Sequence, residues 1–305
     1  MKIIRYEGHK FYFIALLTAM CMICANCYGL AVRSLCDEEN EEYLISVFFS
    51  SFYSDMGAHE GPFEGGYPRQ FVKFVKDALE SIKSQSGPHI VDLGAGDLWL
   101  TKKVFEAVPG ARVEAVDINE PAKAIPDGIR FTQASIEATG FPEASFDVVM
   151  SAFTICYARK DIAVREIYRI MKPNARAIIL MHARGSELMS GLFARQRTIY
   201  ERLEMIKDQS SREKEAKLLG IKLRAIRAVL TRLYENSFRY EDEVRRFYES
   251  KGFCVQVKVF YKYADVEILF DPTLKDEPPM AFGVILTKVN DVNERHYLDG
   301  VASSL

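Results

Sequence analysis

Short apolar runs alternate with stretches of helical periodicity from residue 67 to residue 181, and this alternation restricts the fold more than any other feature of the chain. The runs predict buried strands at residues 89–93, 113–116, 129–132, 146–152 and 177–181. Strands that alternate with helices at this spacing form a parallel sheet with helices on both faces. Two later runs, 253–261 and 282–287, bring the predicted strands to seven. The predicted fold class is therefore α/β with a doubly wound sheet.

Residues 186–236 are helical in composition and contain no candidate strand. Apolar residues repeat there in steps of four and three, which predicts an amphipathic helix that packs on a partner surface. They are Leu219, Leu223, Ile226, Leu230 and Leu233. Basic residues on the remaining faces indicate a solvated surface or, alternatively, a lid or docking surface for an anionic substrate. We predict a helical insertion at 186–245, between strands five and six of a domain that spans 40–290.

The composition is that of an ordinary globular core, with 49% hydrophobic residues, 27% charged residues and a net charge of -2 over 305 residues. This near-neutral balance argues against nucleic-acid binding over the whole surface. Cys156 and Cys254 stand alone in apolar stretches, so the folded part has no disulfide framework. Cys21, Cys24 and Cys27 lack a fourth ligand at a suitable distance, and we predict no metal site.

The N-terminal segment 11–32 carries no charged residue and is just long enough to cross a bilayer as a helix. We predict an apolar leader at 1–36, either a signal peptide or a membrane anchor, and a tail at 291–305. The flanking charges would export the remainder of the chain. A translation start further downstream is the third alternative. The protein is then membrane-associated through this segment, or cytoplasmic if the leader is not used.

Two glycines, Gly94 and Gly96, directly follow the first predicted strand and precede a helix. Glycine lets the backbone turn tightly and approach a ligand, and the helix that follows offers free N–H groups to an anionic group. Asp117 lies at the end of the second strand, about twenty residues on, where a carboxylate accepts hydrogen bonds from ribose hydroxyls. Together the loop and the carboxylate predict an adenosine-type ligand at the carboxyl ends of the strands.

Segment 91–96, Val-Asp-Leu-Gly-Ala-Gly, resembles the first motif of class I S-adenosylmethionine-dependent methyltransferases, and 115–118 resembles the second. Segments 131–137 and 141–149 are similar to the family's adenine-contacting turn and fourth strand. Segment 166–173 resembles the helix and turn of the methyltransferase type 11 branch. The resemblance implies a Rossmann-like, mostly parallel sheet with an antiparallel last strand, and S-adenosyl-L-methionine as the cofactor.

The resemblance also implies the cofactor contacts. The amino-acid end of the cofactor would meet Asp92, Gly94 and Gly96. Asp117 would bind the ribose, with Ile118 against the adenine, Ser135 and Ile136 along the adenine edge, and Ser151 and Phe153 facing the methyl group. Leu98 stands where the family often has a third glycine, so its branched side chain is expected beside the methionine portion. Ser135 replaces the usual aspartate, which weakens the bond to the adenine amino group.

The function that follows is methyl transfer to an unidentified acceptor, most simply a small molecule, by in-line displacement. A hydroxyl or protonated amine acceptor would need a base, for which His59 and Glu60 in the loop 57–66 and His182 after the fifth strand are candidates. One alternative is a non-catalytic, membrane-tethered interaction protein that retains the fold. The other is an NAD-dependent oxidoreductase, which would use the same loop and carboxylate.

Overall fold

The computed structural model describes residues 44–45, 69–80, 87–121, 124–206, 213–261 and 279–289. The chain divides into two units, Met1–Leu44 and Ile45–Leu305, and every described residue except Leu44 belongs to the second. The leader, the tail and the loop with His59 and Glu60 lie outside the described residues, so these assignments stay predictions. Within the described ranges, no helix is both long enough and apolar enough to cross a bilayer.

Seven strands form one sheet in the order β3-β2-β1-β4-β5-β7-β6. The strands are β1 (His89–Leu93), β2 (Arg112–Asp117), β3 (Ile129–Gln133), β4 (Phe146–Ala152), β5 (Met171–His182), β6 (Phe253–Phe260) and β7 (Ala281–Lys288). Strands β1 to β5 pair in parallel, whereas β7 runs antiparallel to both β5 and β6. The doubly wound, mostly parallel sheet with an antiparallel last strand is therefore confirmed.

Helices cover both faces of the sheet. They are α1 (Arg69–Glu80), α2 (Trp99–Ala107), α3 (Lys160–Ile170), α4 (Glu187–Ile206), α5 (Glu213–Asn236) and α6 (Glu241–Glu249), with a 3-10 turn at Ile155–Tyr157. Residues of α1 and α2, such as Phe71 and Val104, share one core cluster with Ile90 of β1. Residues of α3 and α5, such as Ile167 and Leu233, share the other with Val91. The apolar face of each helix thus packs on the sheet.

Three helices, α4 to α6, lie between β5 and β6, where the helical insertion was predicted. The stripe of α5 is buried at every position, which confirms the packing face deduced from its spacing. Its residues are Leu219, Leu223, Ile226, Leu230 and Leu233. Full burial of such a leucine contributes about 1.5–3 kcal/mol. The stripe therefore packs α5 on the core. Helix α5 also contacts the 3-10 turn that follows β4, which places it near the carboxyl end of that strand.

One local expectation is wrong. Strand β5 begins at Met171 rather than at residue 177, because the proline segment continues as extended chain. The register against β4 shifts between Phe146 and Val148, and Asn174 adopts a left-handed φ of 59°, so a bulge accommodates Pro173. Helix α3 begins at Lys160, so Asp161 lies in its first turn, where it forms an ion pair with Lys251.

Candidate functional site at the carboxyl edge of the sheet

The loop between β1 and α2 is tied to the end of β2 by backbone hydrogen bonds. The N–H groups of Gly94 and Ala95 both donate to the carbonyl oxygen of Val116, at 2.7 and 2.9 Å. Gly94 and Gly96 have φ values of 79° and 52°, in the left-handed region that favours glycine. A Cβ added to Gly94 would lie 2.1 Å from the Thr154 hydroxyl oxygen. The loop can therefore adopt this turn only with glycine at residue 94.

Asp117 holds the second half of the loop. Its Oδ2 accepts a hydrogen bond from the Gly96 N–H at 2.9 Å, and its Oδ1 accepts one from the Asn119 N–H at 2.9 Å. Burial raises the pKa of this carboxyl above its ordinary value, and the backbone N–H groups of Asn119, Gly96 and Ile118 oppose the rise. A carboxylate offers about four acceptor positions. Because the described contacts use one on each oxygen, the remaining positions suit a pair of adjacent hydroxyls.

Asp92 faces α2 rather than an open surface. Its side chain is 1% exposed, and its Oδ2 accepts a hydrogen bond from the Thr101 hydroxyl at 2.7 Å. Burial raises the pKa of Asp92 to about 7, and the nearby Asp117 and Asp97 carboxylates add to the rise. Contact of this carboxyl with the amino-acid end of a cofactor stays a prediction. The bond that the structure shows joins β1 to α2 beneath the glycine loop.

The raised pKa of Asp92 has a consequence for stability. The pKa of Asp92 is higher in the folded protein than in the unfolded chain, so the folded state binds this proton more tightly. Protonation of Asp92 therefore stabilises the fold, and this stabilisation is fully present only at low pH. Stability is therefore expected to fall as the pH rises from about 4 through 7, at about 1.4 kcal/mol per unit of pKa difference. Asp92→Asn keeps an acceptor for Thr101 and removes the charge. We expect thermal unfolding between pH 4 and 8 to show a shallower decline in this variant than in the wild type.

The backbone of Leu98 fits the family pattern, but its side chain is buried in the core. Its backbone has a φ of 64°, the left-handed conformation that a third glycine would adopt. Its side chain is fully buried and belongs to a small core cluster with Ala115 and Ile129. The expectation that this side chain crowds the methionine portion of a cofactor is therefore wrong. The left-handed conformation costs roughly 1–2 kcal/mol, and burial of the leucine offsets it.

The predicted adenine contacts divide into two groups. Ile118 is 36% exposed directly after Asp117, as a side chain that packs on a flat ligand requires. The Ala134 N–H donates to the Asp117 carbonyl oxygen at 2.9 Å, which brings the turn at Ser135 beside β2. The Ser135 hydroxyl accepts from the Glu137 N–H at 3.2 Å. The side chain of Ile136, in contrast, lies in the main core and is 5% exposed.

Ser151 and Phe153 lie at the end of β4. The Ser151 hydroxyl is buried and makes no hydrogen bond among the described residues. The Phe153 backbone has a φ of 59°, and its ring lies 4.5 Å from the His182 ring, centroid to centroid, at 33°. His182 is itself buried, which lowers its pKa to about 3. A base of this strength is poorly matched to neutral pH, which argues against His182 as the general base.

Thr154 is a site residue that the sequence reasoning missed. Its hydroxyl donates to the Gly94 carbonyl oxygen at 3.1 Å and occupies the space that a side chain at residue 94 would need. A second missed contact joins the turn at Ser135 to the start of α3, where both Glu137 carboxylate oxygens accept hydrogen bonds from Arg159. A threonine after a strand belongs to no recognisable sequence motif, so only its contact with Gly94 in the folded structure identifies Thr154 as a site residue.

The comparisons with known proteins agree with this geometry. Residues 91–179 match the type 11 family model described as a methyltransferase domain. A ubiquinone/menaquinone biosynthesis C-methyltransferase of Hahella chejuensis is 34% identical over 32% of this chain and 43% of its own length. Its counterpart in Ectopseudomonas mendocina is 28% identical over 42% of this chain and 54% of its own. The chain spans about half the length of these curated relatives.

A solved structure shares the fold. It is a Burkholderia thailandensis 1,6-didemethyltoxoflavin-N1-methyltransferase with bound 1,6-didemethyltoxoflavin and S-adenosylhomocysteine. The TM-score is 0.50 at 15% identity, over 84% of this chain and 91% of that one. The match to the family model favours a methyltransferase domain over a dinucleotide-binding one at residues 91–179. These residues are thus similar to the type 11 methyltransferase domain and lie on a Rossmann-like sheet.

Proposed function

We propose that this protein transfers the methyl group of S-adenosylmethionine to a small-molecule acceptor. The observation that carries the proposal is the hydrogen bond from the Gly96 N–H to the Asp117 carboxylate, 2.9 Å long. It holds a glycine turn and a carboxylate suited to ribose hydroxyls side by side at the carboxyl edge of the sheet, where ligands bind in open α/β folds. The methyltransferase domain match supports the reaction, and the relatives named ubiquinone/menaquinone biosynthesis C-methyltransferases support a small-molecule acceptor.

The residues present fit the cofactor. Asp117 retains acceptor positions for the ribose hydroxyls after its two backbone bonds. Ile118 offers an exposed apolar side chain for the adenine. Gly94 and Gly96 provide a turn without Cβ atoms for the amino-acid end. The Ser135 hydroxyl is a weaker partner for the adenine amino group than a carboxylate, by about 1 kcal/mol.

When bound, S-adenosylmethionine supplies a methyl group on a positively charged sulfur. The protein itself orients the acceptor in line with that carbon and excludes water from the site. The tilted rings of Phe153 and His182 pack together at the ends of β4 and β5 and exclude water there. With its lowered pKa, His182 stays neutral across the physiological range, so it presents an uncharged ring there. His59 and Glu60 remain the proposed candidates for a base.

Calorimetric titration of the full chain with S-adenosylmethionine, S-adenosylhomocysteine and NAD tests the proposal. We expect binding of the first two and none of NAD, because Asp117 and the glycine turn sit in a methyltransferase domain. NAD binding without the other two would establish the oxidoreductase alternative. If none of the three binds, the chain is better explained as an interaction protein that has kept the fold.

A further inference from the structure

The chain that leaves β5 is joined to the segment that follows α5. Ala183 forms a parallel bridge with Phe238, and the Arg184 N–H donates to the Phe238 carbonyl oxygen at 2.8 Å. The Arg184 side chain returns to the same segment, where Nη2 donates to the Ser237 carbonyl oxygen at 2.9 Å. We call these contacts between residues 183–184 and residues 237–238 the clasp. They hold the Arg184 guanidinium just beyond the carboxyl end of β5.

The clasp lies on the same edge as the glycine loop. The Thr154 hydroxyl donates to the carbonyl oxygen of Gly94, and the turn that begins after Thr154 includes Cys156. The Asn236 side-chain amide donates to the carbonyl oxygens of Cys156 and Ala158, at 3.3 and 2.7 Å. Asn236 directly precedes the residue that Arg184 binds. Continuous contacts thus lead from the candidate cofactor loop to the Arg184 guanidinium.

Two cations meet at the clasp without a carboxylate partner. Neither Arg184 nor Lys160 forms an ion pair within the ranges that the structure describes. Lys160 Nζ lies 4.0 Å from the centroid of the Phe238 ring, and the Arg184 guanidinium lies 4.9 Å from that of Tyr234. Burial lowers the pKa of Lys160 and the positive charge of Arg184 adds to this, whereas Cys156, Asp161 and Glu243 oppose it. An anion beside these groups would also oppose the lowering.

Three buried polar atoms at the clasp have no hydrogen-bond partner in the described structure: the Ser237 hydroxyl oxygen and two atoms on the chain that leaves β5. Those two are Arg184 Nε and the hydroxyl oxygen of Ser186, whose residue is 4% exposed. Buried polar groups in folded proteins are nearly always hydrogen-bonded, so an unmatched pair points to a ligand. A guanidinium presents its N–H donors in a planar fork that matches the paired oxygens of a carboxylate or phosphate. In Arg184, Nη2 donates to the Ser237 carbonyl oxygen, whereas Nε has no acceptor in the described structure.

We propose that Arg184 and Ser186 bind an anionic group, a carboxylate or a phosphate, of the methyl acceptor. This assignment rests on the proposed methyl-transfer function and narrows its substrate to acidic small molecules. Lys160, which contacts the same 236–238 segment, adds a second positive charge. The anion site is built from Arg184 Nε and the Ser186 hydroxyl, on the chain between β5 and α4, and includes no basic residue of α5.

The probes are inorganic phosphate and acetate, titrated into the full chain at constant ionic strength and followed by calorimetry and by the shift in melting temperature. The variants are Arg184→Gln, Arg184→Lys and Ser186→Ala, with Arg197→Gln on the exposed face of α4 as the matched charge control. We expect phosphate, acetate or both to bind the wild type, which identifies the anion. Loss of a charged hydrogen bond should weaken that binding about tenfold or more in Arg184→Gln, and the Ser186 change about twofold to tenfold. Arg197→Gln should bind as the wild type does.

A parallel titration with S-adenosylhomocysteine separates the two proposals. We expect all four variants to keep wild-type affinity for it, which also shows that they are folded. Two results overturn the anion site alone. In one, anion binding survives both Arg184→Gln and Ser186→Ala. In the other, the wild type binds S-adenosylhomocysteine but neither phosphate nor acetate. Weaker S-adenosylhomocysteine binding in Arg184→Gln would move this residue to the cofactor and overturn the acceptor assignment. A wild type that binds no S-adenosylhomocysteine removes the proposed function, and the acceptor site with it.

Discussion

Gly94→Ala is expected to abolish cofactor binding and to destabilise the fold more than any other single change considered for this protein. The new Cβ would lie 2.1 Å from the Thr154 hydroxyl oxygen and 2.4 Å from the Thr154 Cβ. Because the Thr154 Cβ is fixed to the backbone, rotation of the side chain cannot remove the clash. The left-handed φ of 79° adds strain for any L residue. Together these effects cost roughly 2–5 kcal/mol.

Gly110→Ala is the matched control. Gly110 has nearly the same φ, 81°, but an added Cβ there meets nothing within 4 Å. This variant isolates the conformational cost, about 1–2 kcal/mol. Thermal unfolding and titration with S-adenosylhomocysteine should both distinguish the two alanines. Equal loss of stability in the two variants, with cofactor affinity retained, would show that the contact between Gly94 and Thr154 is unimportant.

Asp117→Ala is expected to weaken S-adenosylhomocysteine binding about tenfold to a hundredfold, because the ribose hydroxyls lose a charged acceptor. The same change leaves the N–H groups of Gly96 and Asn119 without their acceptor and should lower stability by about 1–3 kcal/mol. Calorimetry measures the first effect and chemical unfolding the second. Both are needed, since a disordered loop would also reduce affinity.

Asp127→Ala provides the comparison for Asp117. Asp127 is an exposed aspartate in the turn before β3, so its removal changes the net charge equally without touching the loop. We expect wild-type affinity and stability for it. If Asp117→Ala binds S-adenosylhomocysteine as tightly as Asp127→Ala does, the ribose contact has been assigned to the wrong residue.

Most of the sheet could be predicted from the sequence, because strands buried on both faces read as continuous apolar runs between glycine and proline turns. Strand β4 was predicted with its observed bounds, Phe146–Ala152. Strand β5 was not, because the bulge beside Phe146 depends on pairing between strands rather than on hydrophobicity.

The site was predictable where backbone conformation demands a residue type. Gly94, Gly96 and Asp117 were identified because a tight turn after β1 requires glycine and the parallel strand β2 ends beside it. Leu98 was misjudged, because a left-handed backbone position does not reveal which way its side chain points. Thr154 was missed because its contact with Gly94 joins residues 60 positions apart. Contacts of this kind follow from the folded arrangement and leave no local pattern.

The role of His182 could not be predicted from the sequence alone. Its position at the end of β5 suggested a base, but packing against the Phe153 ring buries it and lowers its pKa to about 3. Burial of this kind depends on Phe153, which itself takes an unusual φ after β4. The chemistry of a histidine at a strand end is therefore decided by its neighbours in space.

The most direct test of the proposed function is a crystal structure of the full chain with S-adenosylhomocysteine. We expect the ribose hydroxyls within hydrogen-bond distance of the Asp117 carboxylate, the adenine against Ile118, and the amino-acid end over the turn at Gly94 and Gly96. Density for the ligand elsewhere, or a ribose that makes no contact with Asp117 while the Gly96 bond persists, would contradict the account.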